Sequence, residues 1–89
     1  MSGRGVLVVG ASSPIGASIG RAFQAGGDIT VGVALEPVEG GGYHHTAVVD
    51  CATAAGADTA VRAAITAAGR LDVVVLAAAA MPVGSVTAT

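Results

Sequence analysis

The stretch that decides the fold is VLVVGASSPIGASIGRAF, Val6 to Phe23. Its first four residues are apolar and run without a break into Gly10, as a short strand buried on both faces does. From Ile15 the spacing changes to Ile15, Ile19, Ala22 and Phe23, the stripe of a helix, and Gly26 and Gly27 stop it. The segment between them, GASSPIG, is either a phosphate cradle opening that helix or a Gly/Ser turn joining two buried elements. As a cradle, Ala11 to Pro14 turn backbone N–H groups toward an anion, the helix start adds its partial positive charge, and Ser12 and Ser13 add hydroxyls. Pro14 removes one N–H and holds Ser13 extended, yet proline is tolerated at a helix start and Ser13 suits the N-cap. A GxxxxGK phosphate loop is excluded, because the sequence contains no lysine.

The pattern continues downstream. DITVGVAL, Asp28 to Leu35, alternates Ile29, Val31, Val33 and Leu35 like a strand and ends at Glu36 and Pro37. EPVEGGGYHH reads as a loop, since a proline and three successive glycines cannot hold a helix. TAVVD, ending at Asp50, is a third short strand. Ala54 to Ala68 is an alanine-rich helix, with Ala57, Val61, Ala64, Ile65 and Ala68 on one face and Gly69 as its stop. LDVVVLAAAA, Leu71 to Ala80, is a fourth strand, its valine triplet and Pro82 outweighing the helix preference of its alanines. Strand–helix–strand–loop–strand–helix–strand requires parallel strands joined by crossovers, and right-handed crossovers give the order 3-2-1-4. The expected architecture is an α/β fold, an open parallel sheet with two main helices, and its fourth strand lies at an open edge.

Composition narrows the function classes. Four arginines and six acids leave a formal charge of −2 with no basic stripe for nucleic acid or an anionic membrane surface. The core must be built from alanine and valine, since 53% of the residues are hydrophobic but only 2% aromatic. The longest apolar run, Val73 to Val83, is eleven residues and contains Pro82, well short of the roughly 20 that cross a bilayer. The apolar run before Gly10 is too short for a signal peptide, and a lone cysteine, Cys51, suits a reducing compartment; a cytoplasmic location is expected.

These motifs together resemble the short-chain dehydrogenase/reductase family. VGASSPIG, Val9 to Gly16, stands where the family has TGxxxGIG, with Val9 in place of the threonine and Pro14 in place of the middle glycine. VVDCAT places Asp50, with Cys51 beside it, where the family has an aspartate that contacts adenine. About twenty residues on, GRLDVVVLAAAA from Gly69 parallels the family's GRLDVLVNNAG. The resemblance runs from Val6 to about Ala80 and implies a Rossmann-like fold around NAD or NADP, with residues 1–80 as a partial dinucleotide-binding domain truncated before the fifth strand and 81–89 as a tail. It departs at Leu76 to Ala79, where LAAA replaces NNAG and leaves only backbone donors and acceptors at the place of the first asparagine.

Carried over residue by residue, the resemblance implies a cofactor site of Gly10, Ser12, Ser13, Ile15, Gly16, Glu36, Asp50, Cys51 and Leu76. NAD is favoured over NADP. Ala34 occupies the position of the acidic residue that holds the ribose hydroxyls, Glu36 two residues on reaches back to it, and no Arg or Lys lies between Arg21 and Arg62 to neutralise a 2′-phosphate. Cys51 reads as a small buried residue rather than a nucleophile. His44 and His45 point apart and have no third ligand, so no metal site is expected. Tyr43 reads as a loop aromatic, because the family's catalytic pattern is YxxxK and position 47 is alanine.

With no lysine, the family's Ser–Tyr–Lys machinery is incomplete here, and no catalytic residue is expected. The chain therefore reads as the cofactor-binding portion of an oxidoreductase of this family. A non-catalytic dinucleotide sensor, or a structural or interaction module of the same fold, is the alternative. The open fourth-strand edge predicts association with a missing half or with a second copy.

Overall fold

The computed structural model describes residues 3–39 and 42–77, and the expected tail at 81–89 lies outside them. The elements run β1 (Gly5–Val9), α1 (Pro14–Ala25), β2 (Ile29–Ala34), β3 (His45–Val48), α2 (Ala54–Ala68) and β4 (Val73–Leu76). They form one four-stranded sheet in the order β3-β2-β1-β4. Every pairing is parallel, with Leu7 opposite Val31 and Val74, and Val33 opposite Ala47. This is the open α/β sheet and the strand order expected from the sequence. The strands are shorter than their apolar runs: Leu35 lies beyond β2 and is 72% exposed, and Val49 and Asp50 lie beyond β3.

The helices cover opposite faces of the sheet. Val6 and Val8 pack with Ile19 and Phe23 of α1, whereas Leu7, Val31 and Val33 pack with Ala60 and Ala64 of α2. Each inward stripe keeps part of the one read by hydropathy, Ile19 and Phe23 in α1 and Ala64 in α2, and differs in the rest. In α1 the buried positions are Gly16 and Gly20, and Ile15 is 61% exposed. In α2 they are Ala60 and Ala64, while Val61 and Ile65 are 36% and 46% exposed. Small residues win because a helix with no bulk on its inner face approaches the sheet closely enough for the β-branched strand residues to fill the space between.

The amino ends of the strands are tied by charge. Arg4, just before β1, donates through Nε and Nη2 to both carboxylate oxygens of Asp28, just before β2, at 3.1 and 2.9 Å. Asp72, just before β4, accepts from the Gly5 N–H at 2.9 Å and from Arg70. The hydrogen bonds and charge of Arg4 hold the Asp28 carboxyl below the usual aspartate range. Arg70 and the Gly5 amide lower Asp72 in the same way.

A carboxyl whose folded value is depressed stabilises the fold above its unfolded value, about 3.9, and loses that contribution as pH falls through the lower folded value. The melting temperature is therefore expected to fall as pH is lowered below about 4. Arg4→Ala, which leaves the buried Asp28 unpaired, is expected to melt well below the wild type at neutral pH. Its deficit is expected to shrink as pH falls from the unfolded aspartate value through the depressed folded value of Asp28, below which the carboxyl is protonated in both proteins. Melting curves of both proteins across this range check it; a deficit independent of pH contradicts the pairing.

Candidate functional site

At the carboxyl ends of the strands, the first turn is fixed from within. Gly10 has φ +86°, a left-handed conformation that a residue with a Cβ rarely adopts, and it reverses the chain directly after β1. The Gly10 and Ala11 N–H groups both donate to the Val33 carbonyl of β2, at 2.9 and 3.0 Å. Ser13 is the N-cap of α1, with extended backbone (φ −79°, ψ 155°), and its Oγ accepts from the Gly16 N–H at 3.0 Å. That extended backbone is what a residue before proline prefers, so Pro14 fits at the first helical position and removes an N–H that the helix would leave unpaired. The Ser13 hydroxyl proton faces the Gly10 and Ala77 carbonyls at 3.0 and 3.3 Å, which ties the turn to the end of β4.

Among the described residues, this leaves the Ser12 and Ile15 N–H groups without a backbone partner, together with the exposed Ser12 hydroxyl. Gly16 lies beneath them. A Cβ on it would fall 2.6 Å from the Gly10 carbonyl oxygen, so only glycine lets α1 start this close to β1.

The second helix starts on a similar device. Thr53 is its N-cap and accepts from the Gly56 N–H at 2.9 Å. Asp50 accepts from the Ala52 N–H through Oδ1, also at 2.9 Å, which folds the end of β3 into the helix start. A Cβ on Gly56 would collide with the Asp50 carbonyl, so the close approach of α2 to this turn also requires glycine.

A cleft of about 710 Å³ opens between these two helix starts. Gly10, Ser12, Ser13, Glu36, Asp50, Cys51 and Leu76 line it, which gathers seven of the nine residues picked out in the sequence. The remaining two are placed differently: Gly16 is buried under the turn, and the Ile15 side chain points to solvent. Leu7, Ala57, Val61 and Val74 make part of the wall apolar, while Glu36 and Asp50 supply the only charged side chains among the described residues that line it, both acidic. Burial, and then the charge of Asp50, push the Cys51 thiol up, so it stays protonated at neutral pH and packs against the α2-side core. No cluster of three or more metal-ligating side chains occurs among the described residues.

Sequence reading passed over Leu35 and Val49, which line the cleft past the ends of β2 and β3, and Tyr43, whose hydroxyl reaches the glycine turn from below. The available signal for Tyr43 was a pair of glycines inside regular elements, Gly20 in α1 and Gly32 in β2, since a glycine there marks the close approach of another group.

No family model and no curated protein matches the sequence. Solved structures do match. The 3-ketoacyl-(acyl-carrier-protein) reductase of Brucella melitensis, solved in complex with NADH, is similar over 82% of this chain and 33% of its own, at 27% identity and a TM-score of 0.72. The fold is that of the short-chain dehydrogenase/reductases. The protein gox2181 aligns over 85% of this chain and 34% of its own, at 22% identity and a TM-score of 0.71, which shows the shared fold. The chain thus spans about a third of the length of the solved proteins it matches.

Proposed function

We propose that the chain binds a nicotinamide dinucleotide in the cleft at the carboxyl ends of its strands, as the cofactor-binding portion of an oxidoreductase of the short-chain type. The observation that carries this is the convergence, in one cleft at a strand-order reversal, of a glycine turn with free N–H groups and of the carboxylates Glu36 and Asp50. In this reading Ser12 and the Ile15 N–H hold the pyrophosphate, Glu36 takes the ribose hydroxyls and Asp50 the adenine. Gly10 and Gly16 give the backbone its close approach, and Ser13, Cys51 and Leu76 complete the walls. The charge of the cleft supports NAD over NADP, because among the described residues that line it a 2′-phosphate would meet two carboxylates and no cation.

The chain's contribution is cofactor binding rather than proton transfer. Its one tyrosine is turned to the Ala11 carbonyl and does not line the cleft, and the sequence has no lysine. Two further features belong to the same reading. The outer edge of β4 takes additional strands, from a longer polypeptide or from a second copy of this chain. The free, protonated Cys51 suits a reducing, cytoplasmic setting.

Fluorescence titration tests the proposal. NADH is expected to bind saturably and at least about tenfold more tightly than NADPH, a difference of about 1.4 kcal/mol. Glu36→Arg is expected to reverse that preference. No saturable binding at millimolar NADH would favour a module that has the fold without the ligand.

A further inference from the structure

We propose that Tyr43 is a positioning residue for the glycine turn: through the Ala11 carbonyl its hydroxyl aims the Ser12 N–H into the cleft. The proposal rests on the dinucleotide reading for its ligand but on apo geometry for its mechanism. The Tyr43 hydroxyl donates to the Ala11 carbonyl oxygen at 3.2 Å across 32 residues of sequence. Burial of the ring pushes the phenol above its ordinary value, against a smaller opposing effect of Arg21, so at neutral pH it is a donor.

The carbonyl of Ala11 and the N–H of Ser12 belong to one planar peptide group, and in a trans peptide they point in opposite directions. Trapping the carbonyl on the α1 side therefore presents the N–H on the other, toward the cleft that Ser12 lines. Nothing else among the described residues bonds that carbonyl or that N–H. Without the phenol, the Ala11–Ser12 peptide is held only through its neighbours.

The ring itself is held firmly. A methyl on Gly20 would fall 2.7 Å from ring Cε1, and one on Gly32 would fall 2.9 Å from the ring and 2.7 Å from Ala11 Cβ. Neither glycine has a positive φ, so the approach of Tyr43 and Ala11 accounts for the absence of a side chain at both. The loop that carries the ring is pinned as well. The buried Thr30 hydroxyl donates to the Gly42 carbonyl at 2.6 Å, and the Thr30 N–H donates to His44 Nδ1 at 3.0 Å. Gly42 in turn lies so close to Arg21 that a Cβ there would sit 2.5 Å from its backbone nitrogen. Gly42, Tyr43 and His44 thus form a fixed strut under the turn.

The test uses Tyr43→Phe, which keeps the ring and removes only the hydroxyl. In the free protein, the Ser12 amide order parameter is expected to fall from about 0.85 toward 0.6, with Val8 and Val31 unchanged. The Kd for NADH is expected to rise about three- to tenfold, while melting stays cooperative and near the wild-type midpoint. Gly20→Ala, whose methyl displaces the ring, is expected to reproduce both effects. An unchanged Ser12 order parameter, or an unchanged NADH Kd in a variant whose Ser12 has loosened, overturns the proposal. Failure of the wild type to bind NADH overturns the dinucleotide reading instead, and Ser12 motion in the free protein still decides whether the strut acts.

Discussion

Gly16→Ala is expected to weaken NADH binding by about tenfold to a hundredfold and to lower the melting temperature. Two effects of opposite sign compete at this position. Replacing glycine by alanine inside a helix ordinarily stabilises it by about 1 kcal/mol, because alanine loses less backbone entropy and is the best helix former. Against that, the new methyl would stand 2.6 Å from the Gly10 carbonyl oxygen and 3.2 Å from Ala11 Cα. Both are backbone atoms of a turn tied down by two bonds to Val33 and one to Ser13, so the turn cannot give way cheaply. The helix must move instead, at an overpacking cost of about 1–3 kcal/mol. That exceeds the propensity gain, and the net sign is destabilising.

Movement of α1 also carries the Ile15 N–H away from Ser12, which separates the two donors that an anion would bridge. Each charge-assisted hydrogen bond lost is worth about 1.5–3 kcal/mol, so affinity drops by about tenfold to a hundredfold. Gly26→Ala is the control. The C-cap has φ −81°, and a Cβ there meets nothing closer than 3.5 Å, so this variant should keep wild-type stability and affinity. Thermal melts and NADH titrations of both variants decide the matter; a Gly16→Ala protein that melts higher and binds normally would falsify the close-packed turn.

The contrast between these glycines shows what the sequence made legible. Strand order could be read because it follows from strand–helix alternation and the handedness of crossovers, which glycine stops and the change from period 2 to period 3.6 announce. The N-cap at Ser13 could be read for the same local reason, as it depends on a proline and a glycine within three residues.

The inner faces of the helices could be read only in part. In α2, Ala64 lies on the expected face, but hydropathy also favours Val61 and Ile65 where close packing favours Ala60, and in an alanine-rich helix the hydrophobic contrast between faces is too small to decide. In α1, Ile19 and Phe23 pack on the core as expected, but the fully buried residues are glycines, which hydropathy does not weigh at all. The cleft was legible where the sequence places residues at strand ends, as with Gly10, Glu36 and Asp50. Tyr43 was not, because its contact with Ala11 lies 32 residues away in sequence and depends on close approaches at Gly20, Gly32 and Gly42 together.

A chain of residues 1–89 is expected to self-associate with rising concentration, and Val74→Lys is expected to return it to a monomer of 8.4 kDa without loss of the fold. The sheet has two outer strands, β3 and β4, and they differ in chemistry. β3 reads HTAV and carries His45 and Thr46; β4 reads VVVL, with no charge, no proline and no glycine to discourage pairing. Among the described residues, nothing pairs with the outer side of β4. Its side chains point the same way energetically: Val74 and Leu76 are 51% and 72% exposed, and the exposed Val61 and Ile65 of α2 lie on that same face of the sheet. A strand edge continuous with an apolar face is stabilised by the backbone hydrogen bonds and by the burial that a partner strand supplies.

Lysine at position 74 opposes association without opening the fold; because Val74 also lines the cleft, the variant is read by its oligomeric state and not by NADH affinity. The side chain already reaches solvent, so the folded monomer accommodates the charge, whereas a partner packed over β4 would have to bury it. Light scattering across about 10 μM to 1 mM, with reducing agent to silence Cys51, checks the prediction, since association of exposed strand edges develops over that range. A wild-type chain that stays a sharp monomer throughout would show that the β4 edge is already covered. A Val74→Lys chain that associates as readily as the wild type would move the contact elsewhere, to the β3 edge or the open rim of the cleft.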